Sequence, residues 1–322
     1  MRMSKTTLDL KSAACIINPG SARKKWLRRR RLQRLLAREL PGQKFDFLAD
    51  KESTVALVRK VSPNHDVIIV IGGDGTIADV LQGIREAQRE KDVALGVVPL
   101  GSGNAFRKSL AIPKDVRKAI RILRRGETKE VRLMDIEGQT AGFSSIGGTA
   151  LVTQNKLEHD IQGFWGHVVA GRRIFSLPAW DIEAEMEDGL DDRGRPFAGK
   201  TLRLRVFDCV VTRSQYFGYS WRIAPKASLD DDYLDITFYE ISGWKYALVL
   251  PLLYFGLYQR TQKHFKAKRL ILRGKNLPIQ YHGESLGSRD RVEVKLLPQG
   301  VRFICPSISK RPGQKAKGRK KP

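Results

Sequence analysis

The chain has 322 residues, 41% of them hydrophobic and 29% charged, with 59 Lys+Arg against 34 Asp+Glu and a formal net charge of +25. That length fits two domains with real cores, and the composition excludes a disordered chain. Three widely spaced cysteines, Cys15, Cys209 and Cys305, exclude a disulfide scaffold and a Cys-type zinc site, and fit a reducing cytoplasm.

In chain order, the start holds no apolar run long enough for a signal peptide. Residues 13–17 read as a buried strand, followed by Asn18-Pro19-Gly20-Ser21. Residues 23–38 then carry nine Lys/Arg, with Trp26, Leu27, Leu32, Leu35 and Leu36 at helical spacing, so a basic amphipathic helix is expected. A second strand is expected at 45–48 and a helix at 53–61. Residues 67–71 form a β-branched run without alternation, as in a strand covered on both faces. It enters Gly72-Gly73-Asp74-Gly75-Thr76 and a helix to about Glu90. Residues 93–99 repeat the pattern and end in Gly101-Ser102-Gly103-Asn104 before another helix. Alternating strands and helices predict a doubly wound, parallel α/β domain over 1–130.

From Val131 the pattern changes. Residues 181–187, 202–206 and 292–296 alternate strictly, which predicts an antiparallel β-sandwich over 131–300. Two helical stretches interrupt it, at 163–175 and at the apolar 244–258. The latter is too short to span a bilayer. Residues 301–309 are expected as a strand returning to the first domain. The tail 310–322, with seven Lys/Arg in residues 310–321 and no apolar anchor, is expected to be disordered.

Three small-residue loops therefore follow buried strands and open helices. Glycines allow close backbone approach, and helix N-termini supply free N–H groups, so the loops read as phosphate-binding. Asp74 sets a carboxylate among those glycines. It suits an Mg²⁺-nucleotide ligand, a base facing an acceptor hydroxyl, or simply a helix cap. No Walker A or Rossmann signature is present.

Together, Asn18–Ser21, the pentad 72–76 and Pro99-Leu100-Gly101-Ser102-Gly103-Asn104 resemble the nucleotide motifs of the diacylglycerol kinase/sphingosine kinase catalytic family, bacterial type. Ile146-Gly147-Gly148-Thr149-Ala150, residues 227–235 and residues 279–287 follow in that family's order, so the likeness covers about 11–306. The resemblance implies an ATP-dependent lipid kinase that phosphorylates diacylglycerol, ceramide or a sphingoid base, with ATP between the domains and the lipid in the sandwich. Asn18, Ser21, Gly72, Gly73, Asp74, Gly75, Thr76, Gly101, Ser102, Gly103 and Asn104 would line the nucleotide. Asp231 and Asp235 would hold a structural Mg²⁺, with an acidic turn as the alternative. Residues 163–175 and 244–258 would wall the acyl chains, unless both are ordinary core helices.

Three positions depart from the family. His282-Gly283-Glu284 stands where Asp-Gly-Glu is usual. A histidine near pKa 6.5 suits a general base, with Asp74 or Glu284 as the alternatives. Ala105 replaces an Asp, and Ala78-Asp79 replaces Asn-Glu. These departures leave two other readings: a catalytically altered lipid- or nucleotide-binding regulator, or an NAD kinase-like enzyme on the same scaffold. The expected partner is lipid at an anionic membrane surface, met by the basic helix and tail, with a solvated face as the alternative. No nucleic-acid module accompanies the charge. The expected location is cytoplasmic and peripherally membrane-associated, with a homodimer left open.

Overall fold

The computed structural model describes residues 4–5, 8–18, 30–40, 42–46, 50–101, 105–125, 127–158, 177–217, 221–258 and 262–306. The elements β1 (Ser4–Lys5), β2 (Ala14–Ile17), α1 (Arg30–Glu39), β3 (Gln43–Asp46), α2 (Lys51–Val61), β4 (Val67–Gly72), α3 (Asp74–Glu86), β5 (Ala94–Pro99), α4 (Ala105–Ser109) and α5 (Val116–Leu123) come first. Strands β3, β2, β4 and β5 pair in that order, all parallel.

Successive residues of these strands face opposite cores. Ile16, Ile68 and Val70 meet Val58 of α2 and Ile77 and Ile84 of α3. Cys15, Ile69 and Ile71 meet Leu36 of α1 and Ile120 and Leu123 of α5. Both faces are covered, so β4 has no polar alternation to show. Ligand access is left to the edge where the strands end.

The second half comprises β6 (Glu127–Ile136), β7 (Gln139–Ala141), β8 (Phe143–Gly147), α6 (Gly148–Glu158), β9 (Trp180–Leu190), β10 (Pro196–Val206), β11 (Asp208–Thr212), β12 (Leu234–Tyr239), α7 (Gly243–Phe255), β13 (Gln262–Tyr281) and β14 (Glu284–Ile304). Its pairings β8–β11, β11–β12, β12–β13, β13–β9, β9–β10 and β13–β14 are antiparallel. The resulting sandwich encloses Ile146, Met186, Phe238, Leu270 and Val292. Gly148 opens α6 against Phe207, where any Cβ would lie 2.1 Å from the ring. The end of β14 joins the halves: Arg302 and Phe303 pair parallel with Ala94 and Leu95 of β5.

Boundaries shift from expectation for local reasons. The strand expected at 45–48 lies at Gln43–Asp46, in register with β2. Helix α2 begins at Lys51 because Asp50 accepts the Ser53 amide at 2.7 Å. Helix α3 stops at Glu86, and Gln88 turns the chain with φ 56°. The stretch 163–175, the first half of the basic helix and the tail 310–322 lie outside the described residues.

Candidate active site

The ends of β2, β4 and β5 come together. The Gly72 carbonyl accepts the amides of Leu100 (2.9 Å) and Gly101 (3.2 Å), so the pentad lies beside the start of the third loop. A Cβ on Gly73 would sit 3.0 Å from the Gly101 Cα, which is why that contact needs glycine. Asn18 anchors the first loop: its amide donates to the Ile71 carbonyl (3.2 Å) and its Nδ2 to Thr76 Oγ1 (3.0 Å). Gly75 differs from its neighbours, since among the described residues a Cβ there would meet nothing within 4 Å. It occupies the first turn of α3, whose N–H groups have no partners within the helix. Ser21, Ser102, Gly103 and Asn104 lie outside the described residues.

Asp74 is buried, and it caps a helix other than its own. Oδ2 accepts the Ala105 amide at 2.8 Å and Oδ1 the Phe106 amide at 3.1 Å, the first two of α4. A five-residue helix is too short to stand alone, so this double cap, at ~1 kcal/mol or more, fixes where α4 starts. Ala105 is itself buried. An Asp there would add a second buried carboxylate beside the amides that Asp74 uses. Arg107 lies close enough to feel Asp74: burial lowers its pKa, and the carboxylate opposes the shift.

His282 does not offer the base expected of it. It is buried, stacked on Phe106 at 5.1 Å and edge-on to Phe143 at 4.4 Å. Its Nε2 accepts the Gly142 amide at 2.9 Å. Burial among these rings pushes its pKa down to about 3, far from the expected 6.5. The ring is therefore neutral and its acceptor nitrogen is occupied. The backbone explains the family position. His282 (φ 48°) and Gly283 (φ 88°) form the two-residue turn closed by the pair Tyr281–Glu284. Asp-Gly is a favoured pair for such a turn, and histidine is among the residues that tolerate positive φ.

A second titratable centre lies beside this turn. Asp79 of α3 has its pKa raised to about 7, first by burial and then by Glu284, Glu52 and Asp50, with Lys51 opposing. Lys51 Nζ donates to Gln139 Oε1 and to the Tyr281 hydroxyl, bridging α2 to both β7 and β13. The sequence shows Asp79 only as a shortened Glu. Lys51 carries no motif signal and is found only through the fold. Glu284 is exposed at the start of β14. The cleft thus combines open backbone at a sheet edge, cationic Lys51 and Arg107, and a carboxylate that changes charge near neutrality.

The loop expected to hold a structural Mg²⁺ does not fit one. The carbonyls of Asp231 and Tyr233 accept hydrogen bonds from the Arg213 guanidinium, and Lys266 Nζ bonds the Asp231 carboxylate. Asp235 is fully buried, with His264 Nε2 at 3.2 Å and Lys266 Nζ at 3.7 Å. The Asp231 carboxylate and both carbonyls are taken by Lys266 and Arg213, whereas, among the described residues, the two oxygens of Asp235 make no hydrogen bond and have the His264 and Lys266 nitrogens within 4 Å. Among the described residues, no group of three or more His, Cys, Asp or Glu is placed to hold a metal.

Comparison with known proteins agrees with this architecture. Residues 12–136 match the diacylglycerol kinase catalytic domain, and residues 196–305 match the YegS C-terminal NAD kinase beta sandwich-like domain. A diacylglycerol kinase of Staphylococcus aureus (strain JH9) is 28% identical over 240 residues, covering 72% of each chain. A crystal structure of a diacylglycerol kinase from Bacillus anthracis str. Sterne superposes with a TM-score of 0.68 at 19% identity, over 94% of this chain and 99% of that one. A second chain from that organism gives 0.73 at 20% identity, over 94% and 97%. At these identities the structures show a shared fold. The paired matches fall one in each half of the molecule: a diacylglycerol kinase catalytic domain is followed by a YegS-type C-terminal beta sandwich-like domain.

Proposed function

We propose that this chain transfers the γ-phosphate of ATP to the hydroxyl of a membrane lipid, either diacylglycerol or a ceramide or sphingoid base. One observation carries the reading. The pentad, Gly101 and Asn18 meet at one sheet edge, with no described residue within 4 Å of a Cβ on Gly75, and Asp79 lies one turn further along α3 near Lys51 and Glu284 of the sandwich turn. Phosphoryl transfer asks for positioning and charge neutralisation more than covalent chemistry. The first-turn amides of α3 suit the phosphates, and Arg107 and Lys51 supply positive charge.

In the proposed reaction, the lipid oxygen bonds to the γ-phosphorus while the β,γ-bridging bond breaks and ADP departs. The hydroxyl proton passes to Asp79, which is half-ionised near neutral pH, with Glu284 beside it. Asp74 positions α4 through its two amide bonds, and His282 packs α4 against the sandwich. Mg²⁺ would arrive with ATP and neutralise phosphate charge.

A membrane site of action fits helix α7. Trp244, Leu248, Leu252 and Phe255 stand exposed on its outer side, with Leu248 at 65% and Phe255 at 62%. Its inner side buries Tyr246 and Leu253. A helix apolar on both sides, with Lys245 in its first turn and Arg222 beside its C-terminal end, suits the edge of an anionic leaflet. Among the described residues, no helix is long and apolar enough to cross a membrane. Incubation with Mg-ATP and a mixed lipid extract should yield a new phospholipid, and Asp74→Asn should abolish it. ATP binding without transfer to any lipid would instead make the chain a regulator. Phosphorylation of NAD in the absence of lipid would make it an NAD kinase.

A further inference from the structure

We propose that Arg213 and Lys266 are built-in cations that replace a divalent ion in the loop 228–235, so that this half of the molecule folds and holds the cleft wall without bound metal. The inference is independent of which substrate the enzyme phosphorylates.

The loop carries Asp230, Asp231, Asp232 and Asp235, and each meets a positive or nitrogen partner of the protein. Lys129 sits 2.7 Å from Asp230 and Arg132 3.3 Å from Asp232. Lys266 Nζ bonds Asp231 and stands 3.7 Å from one oxygen of Asp235, and His264 Nε2 stands 3.2 Å from the other, neither as a hydrogen bond. These partners come from β6 and β13, which flank the loop. Arg213 is the central member. It is fully buried, and its planar fork reaches three main-chain carbonyls: Arg132 (2.9 Å, from Nε), Tyr233 and Asp231.

Carbonyl oxygens turned inward beside carboxylates are the donors a hard divalent cation would use. Here a guanidinium fills that place. It spreads one positive charge over several donors, and Lys266 supplies a second. A buried arginine with only neutral carbonyls would be costly. Asp235, Asp231 and Asp232 offset the desolvation, in that order of effect. Two charges on two side chains thus reproduce the charge of one divalent ion, held covalently in the chain.

The consequence reaches the cleft. Leu229, at the start of the loop, is buried in the same core as Phe106 and Phe303. Phe106 donates its amide to Asp74 and stacks on His282. The loop is therefore one wall of the site, and what neutralises it also sets that wall.

The test uses nucleotide-free full-length protein, so that the Mg²⁺ accompanying ATP plays no part. The thermal midpoint is measured in excess EDTA and in excess MgCl2, and the metal content of the purified protein is measured directly. The inference expects a midpoint that differs by less than about 1 °C between the two, and no stoichiometric Mg²⁺. Arg213→Ser should lower the midpoint in EDTA by several degrees and regain part of the loss in MgCl2, because the vacated carbonyls then face solvent cations. If Arg213→Ser fails to fold, Lys266→Met, at a partly exposed position, is measured the same way. A wild-type midpoint that falls in EDTA and recovers with Mg²⁺ would overturn the inference. So would one equivalent of Mg²⁺ in the wild-type protein.

Discussion

Two aspartate-bearing turns of this chain look alike as sequence and behave oppositely as structure. The pentad 72–76 and the loop 228–235 both set carboxylates among small residues after or before a buried strand. In the pentad, Asp74 accepts two backbone amides, a Cβ on Gly75 would meet none of the described residues within 4 Å, and the nearby Asp79 has a pKa of about 7. In the loop, each aspartate side chain has a Lys, Arg or His nitrogen within 4 Å. The first arrangement leaves charge available to a ligand; the second spends it inside the fold. Local sequence does not separate these cases, because the partners Arg213, Lys266 and Lys129 lie 18 or more residues from the aspartates they meet.

The sharpest way to break this contrast is Asp79→Asn. If Asp79 accepts the lipid proton, the wild-type rate should rise with pH through about 7 as the carboxylate ionises. The variant should lose that rising limb and about 100-fold in rate. Stability should move the other way. A carboxyl whose folded pKa is raised stabilises the fold below its ordinary range, and that contribution is lost as pH rises through about 7. The amide escapes this loss, so above pH 7 the variant should melt higher than wild type. A rising limb that persists in Asp79→Asn assigns the proton elsewhere.

Gly75→Ala gives a smaller effect and separates binding from folding. A Cβ meets no atom of the described residues there, and alanine favours a helix by ~1 kcal/mol, so the melting midpoint should hold or rise. If that space receives phosphate, the KM for ATP should increase about tenfold, the equivalent of about 1.4 kcal/mol. An unchanged KM would move the nucleotide away from the pentad. Gly73→Ala is the control, because its Cβ meets the Gly101 backbone and should cost stability itself.

How much of this was legible beforehand follows the range of the interactions. The doubly wound half shows itself through β4 and β5, whose unbroken apolar runs require cover on both faces. The sandwich shows itself through the alternation of β9 and β14. The three loops are visible because glycine and helix-start residues act locally. His282, Asp79 and Arg213 are not visible, since their character comes from neighbours distant in sequence. The ring neighbours Phe106 and Phe143 turn a nominal base into a packed neutral ring. A glutamate shortened by one methylene becomes the group poised near neutrality, and an arginine after β11 fills a loop that begins some 15 residues later.

His282 provides the smallest and most specific test. Its folded pKa of about 3 lies below the ordinary 6.5, so the neutral ring stabilises the fold fully above pH 6.5. That contribution is lost as pH falls below 6.5, at up to ~1.4 kcal/mol per pH unit until about pH 3. Asn tolerates the positive φ of this turn and does not titrate. Between pH 6.5 and 5, the wild-type midpoint should therefore fall by a few degrees relative to His282→Asn, whatever their absolute values. Asp79 and Asp208, both raised to about 7 by burial, push stability the other way over this window. They do so equally in the two proteins, so the difference in slope isolates the histidine. Parallel slopes would mean that the ring takes up a proton without leaving Phe106 and Phe143, and its place as a neutral packing link between α4 and the sandwich would fail.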